Sequence, residues 1–204
     1  QDPRAGSDAL LTNGVMSMKA ERKEENAVVI DVLPMGYMSD QRPVYKREPV
    51  VLAVGVDQFK LLELVPKPGA DIQIHDRVYI GDAEREKIER VKRRIGYEDL
   101  TATAKLELPF VVEQIVRENE QRFVDFFNKS VSITPKFHML HLLPGIGKKL
   151  MWEVIEQREK KPFESFEDIS RRIKSLPHPD RMIISRILRE IEDPNEKYHI
   201  FTLK

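Results

Sequence analysis

A chain of 204 residues, 41% of them hydrophobic, is long enough to bury a core in one large or two small domains without disulfide or metal staples. Its 34 lysines and arginines balance 34 aspartates and glutamates, so no global field draws it onto a polyanion, and any such contact has to come from local patches. The absence of cysteine excludes disulfides and thiolate metal sites and suits a reducing cytosol. No apolar run approaches the roughly 20 residues that span a bilayer, and there is no secretory signal, so the expectation is a cytoplasmic chain with no membrane partner.

Residues 1–25 lack sustained periodicity. They carry Met16 and Met18, either of which can serve as a natural start, and are expected to be a disordered or expression-derived tail. From residue 26 to 81 the text turns to short β-rich runs: AVVIDVL, VVLAVGV, FKLLELV and DRVYIG, bounded by PMG, REP, VDQ and PKPGAD. Runs of this length, rich in Val, Ile, Leu, Phe and Tyr and bounded by turn-formers, predict antiparallel strands. Four or five of them in under 60 residues are most economically closed as a small curled barrel of the OB-like kind, which leaves no bare edges.

Residues 82–134 are expected to form a helical connector. Asp82 is a candidate N-cap, Ile88, Val91 and Ile95 stand at helical spacing, and Gly96 ends the segment. Its other face is basic: Arg85, Lys87, Arg90, Lys92, Arg93 and Arg94 outnumber Glu86 and Glu89 by six to two, a local net of +4. That face is either a track for phosphates or a solvated surface. A second helix, from about Ala104 to Lys129, is expected to start or kink at Pro109 and to bury the stripe Phe123, Phe126 and Phe127.

The most informative stretch is 137–158, FHMLHLLPGIGKKLMWEVIEQR. A short helix is expected to end near Leu142, where Pro144 prevents its continuing, and Gly145 and Gly147 permit a tight hairpin. Lys148 then opens a helix to about Glu159. Ile146 turns inward against Leu143, Met151, Val154 and Ile155, which leaves the amides from Gly145 to Lys148 facing outward as an anion site with Lys148 and Lys149 beside it. Trp152 lies one position off the apolar stripe, where packing at a domain junction is favoured over stacking on a base. His138 and His141 are read as core or rim residues, since no third ligand lies at metal spacing.

The pattern Leu143-Pro144-Gly145-Ile146-Gly147-Lys148-Lys149 resembles the helix-hairpin-helix family, whose members bind DNA or RNA backbones without reading bases. The resemblance extends to Arg158, Pro162-Phe163 and Glu167-Asp168-Ile169. Residues 175–188 stand where paired members carry a second hairpin, with His178 and Asp180 in place of glycines. That copy is expected to be structural and to pack Met182, Ile183, Ile187 and Leu188. The order of barrel, connector (82–134) and hairpin domain (135–204) resembles an uncharacterised archaeal family described as predicted RNA-binding or nucleic-acid-binding proteins.

The expected fold is therefore α+β: an OB-like barrel, a helical connector and a helix-hairpin-helix pair, with the tail from Lys197 to Leu203 returning as a strand. The resemblance implies a nucleic-acid partner, RNA in preference to DNA. The expected site comprises Gly145, Ile146, Gly147, Lys148 and Lys149, helped by the barrel face and by Arg85, Lys87, Arg90, Lys92, Arg93 and Arg94. No catalytic residue, metal or cofactor is expected, because neither a Gly-x-x-x-x-Gly-Lys-Ser/Thr loop, a Gly-x-Ser-x-Gly elbow nor a His-Glu-x-x-His helix is present. The rival expectation is a protein-interaction adaptor with a structural hairpin pair; a nuclease or repair-enzyme subunit has no residues to support it.

Overall fold

The computed structural model describes residues 23–203, so most of the expected 1–25 tail lies outside the described residues. The chain is α+β, and its described residues divide into two compact units, one formed by 23–112 together with 190–203, the other by 113–189.

The first unit is built on a five-stranded antiparallel sheet, with β1 (Asn26–Leu33), β2 (Val50–Gly55), β3 (Leu61–Pro66), β4 (Arg77–Tyr79) and β5 (Ile88–Arg94) in the order β4-β1-β2-β3-β5. Register shifts at Val29/Asp31, Glu63/Leu64 and Val65/Pro66 mark bulges, which bend strands and add twist, and the sheet curls into a half-barrel. Hydrogen bonding does not close it: β4 and β5 are its edges. Ala27, Val29, Val51, Ala53, Leu62, Leu64, Val78 and Ile88 fill the core on one face. The other face is covered too, since Val28, Ile30, Leu52, Val54 and Val65 are at most 3% exposed. The barrel face expected to steer a nucleic-acid strand is thus not available along β1 to β3, because both sides of those strands are occupied by core.

Residues 23–25 of the expected tail belong to this unit. Buried Glu24 accepts hydrogen bonds from the amides of Asp57 (2.8 Å) and Gln58 (2.8 Å), and Gly55 makes room for it, since a Cβ there would lie 2.1 Å from the Glu24 carboxyl carbon.

The expected helix at 82–96 is instead strand β5. Ile88 and Ile95 are buried as expected, but Val91 is 36% exposed, and of the seven strand residues only Ile88 is buried. Pairing with β3 outweighs the helix propensity of a Lys, Arg and Glu-rich segment, and the charges guard an exposed sheet edge. The tail from Lys197 to Leu203 forms no strand. It is held by the buried Glu190 carboxylate, which accepts from the amides of Phe201 and Thr202, both 3.0 Å.

Helix α1 (Ala102–Glu118) runs through Pro109 and begins seven residues before it, so the proline does not start it. Its start is fixed by Thr101, whose hydroxyl accepts from the Ala104 amide (3.1 Å) and donates to Asp31 (2.6 Å). The interruption comes at Asn119, which leaves helical geometry while its side-chain amide donates to the Ile115 carbonyl (2.8 Å). Helix α2 (Glu120–Lys129) then buries Phe123 and Phe127, with Phe126 edge-on to Phe127. The helical unit continues with a two-stranded hairpin, β6 (Ser132–Thr134) and β7 (Phe137–His138), a 3-10 turn over Met139–Leu142, and helices α3 (Lys148–Lys160), α4 (Phe166–Arg172) and α5 (Pro179–Glu192).

Candidate nucleic-acid interface

The 3-10 turn is capped reciprocally by two histidines. The Leu140 amide donates to His138 Nδ1 (3.0 Å), and the His138 amide donates to His141 Nδ1 (3.1 Å). Burial, the Arg158 charge and His141 push the His138 pKa down from 6.5 to about 4. A neutral imidazole is therefore part of the fold. As pH falls below 6.5 the unfolded chain takes up a proton that the folded chain refuses until about 4, so stability falls with pH across that window. The expected loss is about 2–3 kcal/mol between pH 6.5 and 4, measured by urea unfolding at stepped pH. His138→Asn, which keeps an acceptor but does not titrate, should flatten the dependence in that window.

Arg186, a guanidinium only 2% exposed, reaches the Leu142 carbonyl at 3.5 Å and ties the end of this turn to α5. Leu143-Pro144-Gly145-Ile146 then makes a turn in which the Ile146 amide donates to the Leu143 carbonyl (3.3 Å), with Pro144 second and Gly145 third at φ +87°. That is the pattern of a type II turn, which favours proline at its second position and needs a positive φ at its third. Ile146 is buried to 5% beside buried Leu143, Met151 and Val154, with Ile155 half-buried. Pro144, Gly145, Gly147, Lys148 and Lys149 are all exposed.

Two sequence expectations change here. Ile146 offers no free amide, because the turn consumes it. Gly147 is not needed for the hairpin's backbone: its φ is −85°, and a Cβ there would meet nothing within 4 Å. Neither a positive φ nor internal packing requires glycine at 147, which stands at the N-cap of α3 and leaves the space outside it open.

Helix α3 opens at Gly147 with no side-chain cap and no acidic residue in its first turn. Its first internal bond runs from the Met151 amide to the Gly147 carbonyl (3.0 Å), which leaves the amides of Lys148, Lys149 and Leu150 without an intrahelical acceptor. Lysines at this end oppose the helix dipole. Helix α4 shows the ordinary arrangement: Ser165 caps it through the Asp168 amide (2.9 Å), Glu167 and Asp168 stand in its first turn, and Arg171 and Arg172 in its last.

The remaining motif residues are structural. Arg158 donates to the Phe127 carbonyl and to Ser130, both at 3.1 Å. Phe163 is buried under Arg172, whose guanidinium lies 4.5 Å from the ring centre. Buried Asp168 accepts from the Glu164 amide and pairs with Arg171 (2.8 Å) and Arg172 (3.2 Å). In residues 175–188, Ile183 and Ile187 are fully buried, Met182 and Leu188 are half-buried, and Met182 Cε lies 3.5 Å from where a Gly145 Cβ would stand.

The six cations expected at 85–94 belong to the sheet unit, and residues 143–149 belong to the helical unit. Arg85 and Lys87 precede β5 and donate to the carbonyls of Gly81 (2.8 Å) and Asp71 (3.0 Å). Arg90 pairs with Glu48 (2.5 Å), Arg93 with buried Glu63 (2.7 Å), and Lys92 lies between both carboxylates at 3.6 and 3.5 Å. Arg94 donates to the Leu203 carbonyl at 2.5 Å. Each has an internal acceptor, and Glu48 and Glu63 offset much of the local charge. Burial, together with Glu63, pushes the Tyr37 hydroxyl up to about 12. The sequence expectation missed Glu48 and Glu63 because they stand 42 and 30 residues from their arginines.

A pocket in the sheet unit is lined by Glu24, Glu25, Asp57 and Asp82 with Lys23 and Tyr79, a carboxylate-rich wall unsuited to phosphate. Among the described residues no group of three or more His, Asp or Glu side chains is placed to hold a metal ion, and no helix is long and apolar enough to cross a membrane.

These features define an α+β protein in which a curled antiparallel sheet unit is joined to a helical unit that exposes an uncapped, lysine-bearing helix start behind a Pro-Gly turn. The chain belongs to the family described as protein of unknown function (DUF655), which matches residues 23–203. It is 47% identical over 184 residues to the uncharacterized protein MJ0038 of Methanocaldococcus jannaschii, a match covering 90% of this chain and 82% of that one. The crystal structure of Af1531 from Archaeoglobus fulgidus, of the same family, aligns with a TM-score of 0.82 at 49% identity, covering 88% of this chain and all of the other.

Proposed function

We propose that the chain binds a nucleic-acid backbone independently of sequence, RNA in preference to DNA, and that residues 143–161 act as a helix-hairpin-helix phosphate clamp. One observation carries this: the exposed start of α3 has no side chain capping its first amides and carries two lysines where acids belong. Such conflicts between local preference and structure concentrate at functional sites. A phosphate resolves this one, since the amides of Gly147, Lys148 and Lys149 donate to it and the two ammonium groups neutralise it. By comparison, α4 is capped by Ser165, and α2, which also has no side-chain cap, opens on the acid Glu120; α3 has neither.

In this reading the half-barrel is an OB-like module, the helices around Gly145 and Met182 are a hairpin pair, and the second copy supports the first. The preference for RNA rests on the resemblance to predicted RNA-binding proteins. The chain acts as a binder, not an enzyme, and works in the cytoplasm. Phosphate contacts position a strand without specifying its bases. Fluorescence anisotropy with single-stranded RNA, duplex RNA and duplex DNA tests the proposal. With about two to five phosphates engaged, log K against log salt should have a slope of about −1.4 to −3.5 on the single strand. Absence of binding to all three at low salt would refute it.

A second reading, a protein adaptor, is favoured by one observation in the sheet unit. Met35 (62%), Met38 (99%), Val44 (52%) and Tyr45 (83%) are exposed on the connection between β1 and β2. It belongs to the sheet unit, whereas the turn at 143–149 exposes Pro144, Gly145, Gly147, Lys148 and Lys149.

A further inference from the structure

Trp152, the chain's single tryptophan, was expected to pack, yet it is 57% exposed. Its neighbours Met151 and Val154 carry the buried stripe of α3, and Trp152 contributes little to that core. It stands four residues after Lys148 and three after Lys149, so all three share one helix face, with Cβ atoms about 5–6 Å apart. Helical side chains lean toward the helix N-terminus, which carries the indole over the turn of the two lysines. The acidic residues that follow it are engaged elsewhere. Glu153 accepts from the Ser175 hydroxyl (3.0 Å), and Glu156 pairs with Lys160 (3.5 Å). The lean of the indole is toward the two lysines and away from Glu156, one turn further along.

We infer that Trp152 stacks on an unpaired base of the nucleotide whose phosphate sits at the start of α3, so that the ligand of the helical unit is single-stranded or locally unpaired nucleic acid. This rests on the phosphate-clamp reading and deepens it. The surroundings favour a nucleotide over an apolar protein surface, because lysine is depleted where protein interfaces bury aromatic anchors. An indole next to ammonium groups instead matches both halves of a nucleotide: a π face for the base and charge for the phosphate. Bases inside a duplex are already stacked and cannot reach it.

The test uses the whole chain with an oligouridylate of about ten nucleotides, a duplex RNA of the same length, and an oligoribonucleotide lacking its bases. Binding of oligouridylate should quench the tryptophan emission, and the abasic strand should not. Trp152→Ala should weaken oligouridylate binding about 5- to 150-fold, the range that base–aromatic stacking supplies, and leave abasic binding unchanged. Trp152→Phe should recover much of the loss. Because the side chain is exposed, both variants should keep the fold, as circular dichroism would verify. Equal affinity of wild type for the abasic strand and oligouridylate, both salt-sensitive, would overturn the stacking and leave the clamp standing. Loss of binding to every strand at low salt would remove the clamp itself. An emission shift that follows protein concentration and not oligonucleotide would assign Trp152 to a contact between two copies and overturn the inference.

Discussion

Reversing the two lysines at the start of α3, in a Lys148→Glu/Lys149→Glu chain, is expected to weaken single-stranded RNA binding by about 2–4 kcal/mol, roughly thirty- to thousandfold, while leaving the fold slightly more stable. The loss follows from removing two hydrogen bonds to a charged group, each worth about 1.5–3 kcal/mol at most, from an exposed site where solvent reduces them. One fewer neutralised phosphate should also flatten the salt dependence on the single strand by about 0.7 in slope. The gain in stability follows from the dipole. Lys148 and Lys149 are exposed and oppose it, and acids at those positions add about 0.3–1 kcal/mol. A packing hairpin with no ligand would show the stability gain alone. Anisotropy titrations at stepped salt, beside thermal melts, read both quantities from one preparation.

Gly147→Asp should separate binding from stability in the same direction by a different route. The backbone at 147 is extended, with φ −85° and ψ −173°, as an N-cap requires, and the space around it is open. An aspartate there can accept from the unpaired first-turn amides and set a negative charge against the dipole, worth about 0.5–1.5 kcal/mol together, or about 2–5 °C in Tm for a chain of this size. The same carboxylate occupies the donors a phosphate would use and repels it, so RNA binding should fall at least about tenfold. Gly147→Ala, which adds bulk but no acceptor, should do neither to the same extent. If Gly147→Asp binds like wild type, the amides are not the anion site, whatever the lysines do.

Where the residues decide structure locally, the sequence was a good guide. Strands β1 to β4 follow from apolar runs between turn residues, and the Pro144-Gly145 turn follows from proline stereochemistry and a positive φ. Strand β5 misled because Ile88, Val91 and Ile95 are spaced three and four apart, as on a helix, while its actual face is set by pairing with β3 through two bulges. An edge strand with one buried residue carries little alternation to detect. The helix was expected to start or kink at Pro109, yet it starts at Ala102 and is interrupted at Asn119, whose side chain competes for a backbone carbonyl. The tail alternates like a strand but is fastened by Glu190, a partner no local pattern points to.

The candidate site was legible in outline and wrong in detail for the same reason. Spacing showed Ile146 turning inward and Lys148 opening a helix, but not that the inward turn consumes the Ile146 amide. The basic cluster at 85–94 could be counted, yet its carboxylate partners come from other strands and loops. That places the weight of the proposal on Gly147, Lys148 and Lys149 and takes it off the arginines of β5. Trp152 sits one step off the apolar stripe, and that single step is the signal of its exposure.

Whether backbone amides at the start of α3 receive a phosphate can be read residue by residue in an amide-resolved NMR titration with an oligoribonucleotide. The Gly147, Lys148 and Lys149 amide signals should move together, saturably and in a salt-sensitive way, with the Ile146 amide shifting less because it is already bonded. Shifts confined to the β1–β2 connection or to β5, with the α3 start unmoved at saturation, would contradict it.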